Sequence, residues 1–339
     1  MLTGRPIYSA GLAIWRDREA NREETGMLAY IVRRILATIP VMLVVAVFVF
    51  LLLALNPGDP AAILAGDDAT SADIERIRSS LGLDQPMPVR FFIWFSGLMV
   101  GDLGTSVFHN RPVLDMLLQR LEPTAMVALF TILISVAIAV PLGIIAAWKA
   151  HTWIDRAVMV FAVASFSVPV FLVGYAAIYT FAMQLRWLPV QGYVPLSQGI
   201  WPSLRSLIMP SCTLGLAYSA LLARMTRSTM LEILNEDYIR TARAKGLSIR
   251  PVLIKHALKN AAVPIVTTIG VAFASLLGGV VVTESVFAIP GIGRMTVEAI
   301  LQRDVPVVQG VVLFAAFACV MVNLIIDISY SLFDPRIRY

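Results

Sequence analysis

Residues able to do covalent or redox chemistry are sparse and scattered in this 339-residue chain. Its three histidines, His109, His151 and His256, fall in separate regions, and no His-Glu-x-x-His motif sets two of them up as zinc ligands around a general base. No Gly-x-Ser-x-Gly presents a serine nucleophile. The two cysteines, Cys212 and Cys319, sit in apolar runs, so neither a disulfide framework nor a cysteine-rich metal site is available. None of Lys149, Lys245, Lys255 and Lys259 follows a glycine, so the phosphate-binding Gly-x-x-x-x-Gly-Lys-Ser/Thr loop is missing and ATP hydrolysis by this chain is not expected. Gly291-Ile292-Gly293 lacks the third glycine and the preceding strand of a dinucleotide fingerprint. No catalytic residue and no metal site is expected.

The surrounding elements explain this scarcity. The chain is 58% hydrophobic and only 14% charged, where a soluble domain holds about 45 to 50% and about 25%. Its mean hydropathy is +0.79. Six charge-free apolar stretches, 35–55, 123–148, 157–183, 207–223, 264–283 and 307–326, suit helices that cross a bilayer, the fourth being the shortest; a span needs about 20 residues. The first is too long for the core of a signal peptide, about 7 to 15 residues, and no small-residue cleavage site follows it. The expected fold is an all-α membrane protein with six transmembrane helices.

Charge orients these spans. Segments 1–34, 149–156, 224–263 and 327–339 hold 18 of the 27 Lys and Arg residues and net +8, whereas 56–122, 184–206 and 284–306 net −3. Basic loops stay inside, so the first set, with both termini, is expected in the cytoplasm. The positive balance is then an orientation signal, and nucleic acid is not an expected partner. Residues 1–26 read as a polar extension, native or an over-early start, and 27–339 as the membrane unit. Loop 56–122 is long enough for a helical outer subdomain, with Ser71 as a cap and Leu81-Gly82 as a stop. All 49 charged residues fall outside the spans, which disfavours ion-coupled transport. Uncharged polar residues inside them are the candidates for lining a path: Ser165, Ser167, Tyr175, Tyr179, Thr267, Thr268, Ser275 and Asn323. Hydrogen bonding between helices would serve these groups equally well. Pro141 and Pro169 are expected to kink spans two and three. Gly101-Asp102-Leu103-Gly104 reads as a compact turn or as an outer docking loop.

Loop 224–263 is the most unusual segment, with 8 of the basic residues in 40 positions. Leu231, Leu234, Tyr238 and Ala242 recur at helical spacing, and Gly246 ends that helix. Ser248 and Pro251 suit the start of a second helix, on which Leu253, Ala257 and Ala261 share a face up to Pro264. Such a pair should dock on something; an interfacial helix on anionic lipid is one solution.

Residues 236–247 (EDYIRTARAKGL) and 256–264 (HALKNAAVP) resemble the cytoplasmic loop signature of ABC importer permeases, Glu-Ala-Ala, three residues, Gly, nine residues, Ile-x-Leu-Pro. Arg240-Thr241-Ala242 stands in place of Glu-Ala-Ala, Gly246 is in register, and His256, Leu258 and Lys259 replace Ile, Leu and Pro, as in the peptide and nickel subfamily. The stretches PGDP (57–60), LGLDQP (81–86), GDLGTSV (101–107), RMTRSTMLEIL (224–234), TESVF (283–287), PGIGR (290–294), RDVPVVQG (303–310) and DPRIRY (334–339) resemble it too, with mild departures at Ile289 and Val305. The resemblance covers Leu28 to Tyr339.

It implies the type I importer permease architecture and a permease subunit that moves di- or oligopeptides across a bacterial inner membrane by alternating access. Nickel chelates or glutathione are alternative cargoes, and a stand-alone channel or secondary carrier is the alternative from another class. Implied partners are the lipid bilayer, a homologous second permease, two ABC ATPase subunits that hold ATP and Mg, and an extracytoplasmic binding protein. No cofactor is implied for this chain itself. The ATPase-coupling contact is assigned to Glu236, Asp237, Tyr238, Arg240, Thr241, Ala242, Arg243, Lys245 and Gly246, with Arg224 and Arg227 as anchors at the end of span four.

Overall fold

The computed structural model describes residues 32–51, 61–62, 70–80, 82 and 84–333. The extension 1–26, the end of the first expected span and the PGDP and DPRIRY motifs lie outside them. The main helices are α1 (Val32–Leu51), α2 (Ser71–Ser80), α3 (Met87–Met99), α4 (Val113–Trp148), α5 (Trp153–Ser167), α6 (Val170–Ala177), α7 (Ile200–Leu234), α8 (Asp237–Ala244), α9 (Lys259–Val286), α10 (Ile292–Gln302) and α11 (Val305–Phe333). A π-helical segment, Ile178–Gln184, prolongs α6, and another, Val252–Leu258, joins the turn Ile249–Pro251 to α9 without a break.

Among the described residues five helices are long and apolar enough to cross a membrane, or six spans if the α5–α6 pair counts as one. That pair is bent by 94°, so the third expected span is a broken helix rather than a kinked one. Val168 takes an extended conformation (ψ 127°) before Pro169, because the proline ring crowds a helical neighbour before it and its nitrogen cannot donate. Pro141, in contrast, lies inside an unbroken α4.

The charge-free core understated the other helices. α4 begins ten residues before 123 and carries Asp115, Arg120 and Glu122. α7 extends the shortest expected span, 207–223, to 35 residues, and Arg205, Arg224 and Arg227 ride on it. At about 1.5 Å per residue α4 and α7 each exceed 50 Å, well beyond the hydrocarbon. The cap of α2 is Thr70 and not Ser71. The Asp73 N–H donates to Thr70 Oγ1 and the Thr70 N–H donates to Asp73 Oδ2, each at 3.3 Å, the reciprocal bonds of a capping box, and Thr70 Oγ1 adds a bond to Asp73 Oδ2 at 2.6 Å. Those bonds hold the Asp73 carboxyl below its usual range.

α4 and α7 pack at backbone contact. A Cβ on Gly143 would lie 2.6 Å from Thr226 Cβ and 2.8 Å from the Ala223 carbonyl oxygen, and a Cβ on Gly215 would meet Ile134 at 3.0 Å. Ser135 Oγ, fully buried, lies 3.0 Å from the Gly215 carbonyl and 2.7 Å from that of Thr131. Small residues bring helices together where no hydrophobic driving force operates. Among the described residues, a small apolar cluster of Ala139, Leu222 and Ala223 lies within this pair and three larger ones sit around it. The central one joins Val127 of α4, Leu207 and Leu214 of α7, and Leu276 and Val280 of α9 with Phe287 and Ile289. A second lies where α7 ends, and the third, at the opposite end of α4, joins Val113 and Leu117 to α10 and α11. Large apolar side chains of α1, α5, α6 and α11 face outward, as lipid-facing surfaces do.

Candidate functional site

The charged loop folds as a hairpin on the end of α7. After Leu234 the chain turns at Asn235 and Glu236, α8 runs to Ala244, and Gly246 takes a left-handed φ of +81°. The Leu247 N–H then donates to the Ala242 carbonyl at 3.3 Å and the Gly246 N–H to that of Arg243 at 2.9 Å, the double bond pattern of a Schellman stop. Ser248 and Pro251 open the next helix as expected, but that helix is continuous with α9. Leu253, Ala257 and Ala261 are buried together.

Leu231, Leu234, Tyr238 and Ala242 do not form one stripe. The turn at 235–236 leaves the first two on α7 and the others on α8. Ile239, wholly buried, is the anchor of α8 and packs with Met230, Leu234, Val252 and Ala257. Ala242 is turned inward as well, at 8% exposed, so it supports the hairpin and presents nothing outside.

The exposed face is polar: Glu236, Asp237, Tyr238, Arg240, Thr241, Arg243, Lys245 and Gly246. Thr241 Oγ1 donates to the Asp237 carbonyl at 3.0 Å. Arg240 pairs with Asp237 at 3.3 Å, both exposed, which contributes little stability. Asn260 Nδ2 donates to the Tyr238 hydroxyl at 3.1 Å and fixes the ring. Burial raises the Tyr238 phenol above its ordinary value, opposed by the Asn260 bond; it stays protonated and can donate to a partner. With Arg250, Lys255 and Lys259 adjoining, the hairpin offers six cationic groups against two carboxylates, a surface suited to an acidic groove. Gly246→Val should loosen the hairpin locally by about 1 to 2 kcal/mol, since a β-branched residue resists the left-handed region; hydrogen exchange of the Gly246 and Leu247 amides measures it.

At the opposite end of α9 the side chain of Glu284 is entirely buried. Thr124 Oγ1 donates to its Oε1 at 2.6 Å and the Arg294 N–H to its Oε2 at 2.9 Å. The Gly293 N–H bonds to it too, while the Ile292 N–H donates to Thr124 Oγ1 at 2.8 Å. The carboxylate thus caps the start of α10, where free N–H groups and the helix dipole favour negative charge. Gly291 and Gly293 make room for it: a Cβ on Gly291 would lie 2.0 Å from Oε1, and one on Gly293 2.8 Å from Val281 Cα. Arg120 and Arg294 both bond Glu298 nearby, at 3.2 and 2.9 Å. Asp304, also buried, accepts from Ser106 Oγ at 2.5 Å. Local charge and periodicity do not single out Glu284, which lies just past the fifth expected span, nor Thr124, Asp304 or Ser106. The glycines of PGIGR were the available signal.

The path candidates do not converge. Ser165 lines a crevice of about 230 Å³ in the crook of the α5–α6 bend, with Phe161, Val168, Val170, Thr213 and Leu216. Ser167 donates to the Val163 carbonyl, and Tyr175 and Tyr179 face outward on α6 and its π-helical extension. On α9, Thr267, Thr268 and Ser275 each donate to the carbonyl four residues back, at 2.8, 2.9 and 3.0 Å, as do Thr283 and Ser285. Asn323 is exposed on α11. Gly101 to Gly104 form a compact turn in which the Gly104 N–H donates to Asp102 Oδ1 at 2.8 Å.

Comparison with known proteins connects this architecture to a family. Residues 139–339 match the model of the binding-protein-dependent transport system inner membrane component, and residues 27–129 match that of its N-terminal region. The chain is 51% identical to a probable peptide ABC transporter permease protein of Sinorhizobium fredii, over 92% of this chain and 100% of the relative. A putative peptide transport system permease protein of Brucella abortus is 46% identical over the same shares. A glutathione transport system permease protein of Escherichia coli is 41% identical, again over 92% and 100%. Among solved structures, the inward-facing MetNI methionine ABC transporter matches with a TM-score of 0.55 at 15% identity, covering 65% of this chain and 96% of that one.

Proposed function

The chain belongs to the family of binding-protein-dependent transport system inner membrane components, and from that premise we propose that it is the membrane permease through which an ATP-driven importer passes di- and oligopeptides. The relatives named for peptide transport, at 46 to 51% identity over their full length, are the observation that carries the substrate class. The relative named for glutathione, a tripeptide, makes that cargo the second reading. ATP and Mg belong to partner ATPases, because no residue of this chain forms a phosphate loop. A second, homologous permease completes the path, two ATPases drive it, and an extracytoplasmic binding protein delivers cargo. The basic excess of 224–263 supports a cytoplasmic hairpin and cytoplasmic termini in a bacterial inner membrane.

In this reading α8 is the docking element, and its contact residues are those on the exposed face: Glu236, Asp237, Tyr238, Arg240, Thr241, Arg243 and Lys245, with Gly246 setting the turn. Ala242 positions them from within. The two permeases alternate between outward and inward openings as the ATPases close and part.

The test is reconstitution of the chain with its neighbouring permease, ATPases and binding protein in proteoliposomes, with labelled dipeptide, oligopeptide and glutathione offered in turn. Peptide uptake that requires ATP is expected; transport by the chain alone without ATP overturns the reading. Thr241→Arg, on the exposed face, should insert normally yet lower ATPase co-purification by about tenfold, as at a central interface residue. Unchanged recovery of the ATPases removes α8 from the contact.

A further inference from the structure

α7 holds more than the hairpin. Arg227, two turns before its end, reaches the first turn of α5, where Nη2 donates to Asp155 Oδ2 at 2.7 Å and Nε donates to Oδ1. The His151 N–H donates to the same Oδ2 at 3.0 Å, brought there by a left-handed φ of +64° at His151. Asp155 is 4% exposed. A planar, bidentate pair of this kind fixes the angle between its partners as well as their distance. Its contribution to stability is small by comparison, because apolar side chains of similar volume hold such positions as well or better. Geometry is therefore what the pair supplies.

The helices it joins give that geometry a use. On one side, α7 leads in seven residues to Leu234, which packs on Ile239 of α8. On the other, α5 leads to the 94° bend at Val168 and Pro169 and to the crevice inside it. The contact of Gly143 with Ala223 and Thr226 clamps α7 to α4 at the same level, so α7 cannot shift there without carrying its neighbours.

We propose that Arg227 and Asp155 are positioning residues that make α7 and α5 one rigid lever, closed throughout the transport cycle, which passes displacement of the α8 hairpin to the α5–α6 bend. This rests on the coupling reading of α8 above. Lys149 and Arg156 are the other charged groups of the 149–156 turn, and neither bonds Asp155.

The experiment uses the complete importer in proteoliposomes, reading peptide uptake and ATP hydrolysis together. Asp155→Ala, after which the partly exposed Arg227 guanidinium can turn to water, should lower thermal stability but keep assembly and basal hydrolysis, and should lower peptide moved per ATP by about tenfold, the size of effect seen when residues that carry coupling are altered. Asp155→Asn, whose amide oxygen can take the place of Oδ2 and accept from Arg227 Nη2 and the His151 N–H while its NH2 faces Nε, should recover part of that loss. A D155C/R227C pair joined by a short thiol cross-linker should keep transporting. Wild-type coupling in Asp155→Ala, or arrest of transport by the cross-link, overturns the rigid lever. Should Asp155→Ala fail to insert, the cross-linked pair and Asp155→Asn still decide. Failure of the wild-type chain to bind ATPases at all refutes the coupling reading instead.

Discussion

Glu284→Ala is expected to abolish transport by destabilising the end of the bundle remote from the hairpin by about 3 to 5 kcal/mol, the sum expected for several charge-assisted bonds lost at once. The substitution strips acceptors from Thr124 Oγ1 and from the Gly293 and Arg294 N–H groups at a position that is itself entirely buried. It also empties the space between Gly291 and Gly293. Glu284→Gln should fall between wild type and alanine, since the amide oxygen accepts one of these bonds while its NH2 meets a second donor. Gly291→Ala should damage the site from the other side, by driving a methyl group into the carboxylate. Thermal unfolding in detergent, followed through a probe on α10, measures all three. A Glu284→Ala protein as stable as wild type would remove the carboxylate from its place as keystone of α4, α9 and α10.

Gly143→Leu is the second large effect. Its first side-chain atom alone would stand 2.6 Å from Thr226 Cβ and 2.8 Å from the Ala223 carbonyl oxygen, and the latter belongs to the helix backbone and cannot rotate away. Overpacking of a well-filled contact costs about 1 to 3 kcal/mol, and more where backbone must move. Because α4 and α7 are the central pair, a loss of at least about 3 kcal/mol is expected, with little folded protein recovered from membranes. Gly143→Ala should already be harmful, and Thr226→Ala should not rescue it, because Thr226 Cβ and the Ala223 oxygen remain. Size-exclusion recovery of the detergent-solubilised protein checks this. Normal recovery of Gly143→Leu would mean that α4 and α7 stand further apart.

How far the chain could be read in advance follows from which forces leave a mark along the sequence. Charge-free runs locate the spans because lipid excludes charge from their centres. They do not mark helix ends, since a charge at an end is tolerated once a partner meets it, as Arg227 is by Asp155 and Glu284 by Thr124. Those partners are 72 and 160 residues away, beyond any local pattern. Helical spacing misled at Leu231, Leu234, Tyr238 and Ala242 because a periodicity continues on paper through a turn that breaks it in space. Gly246 was readable because only a left-handed position there lets Leu247 reach back to Ala242. At Pro169 the sequence marked the place of the bend but not its size, which depends on what packs on either arm. The polar residues of the spans were the hardest to read, since a hydroxyl in a list looks the same whether its hydrogen is shared or spent.

On α9 it is spent. Thr268, Ser275 and Ser285 each give their single hydrogen to their own helix, so these hydroxyls keep only oxygen lone pairs to show. Were the proposed cargo to pass this flank of α9, its N–H groups would meet acceptors there and its carbonyls no hydroxyl hydrogen. In the proposed permease such a surface would let chemically different cargo by without retaining it, which would place the burden of discrimination on whatever captures the cargo before it arrives.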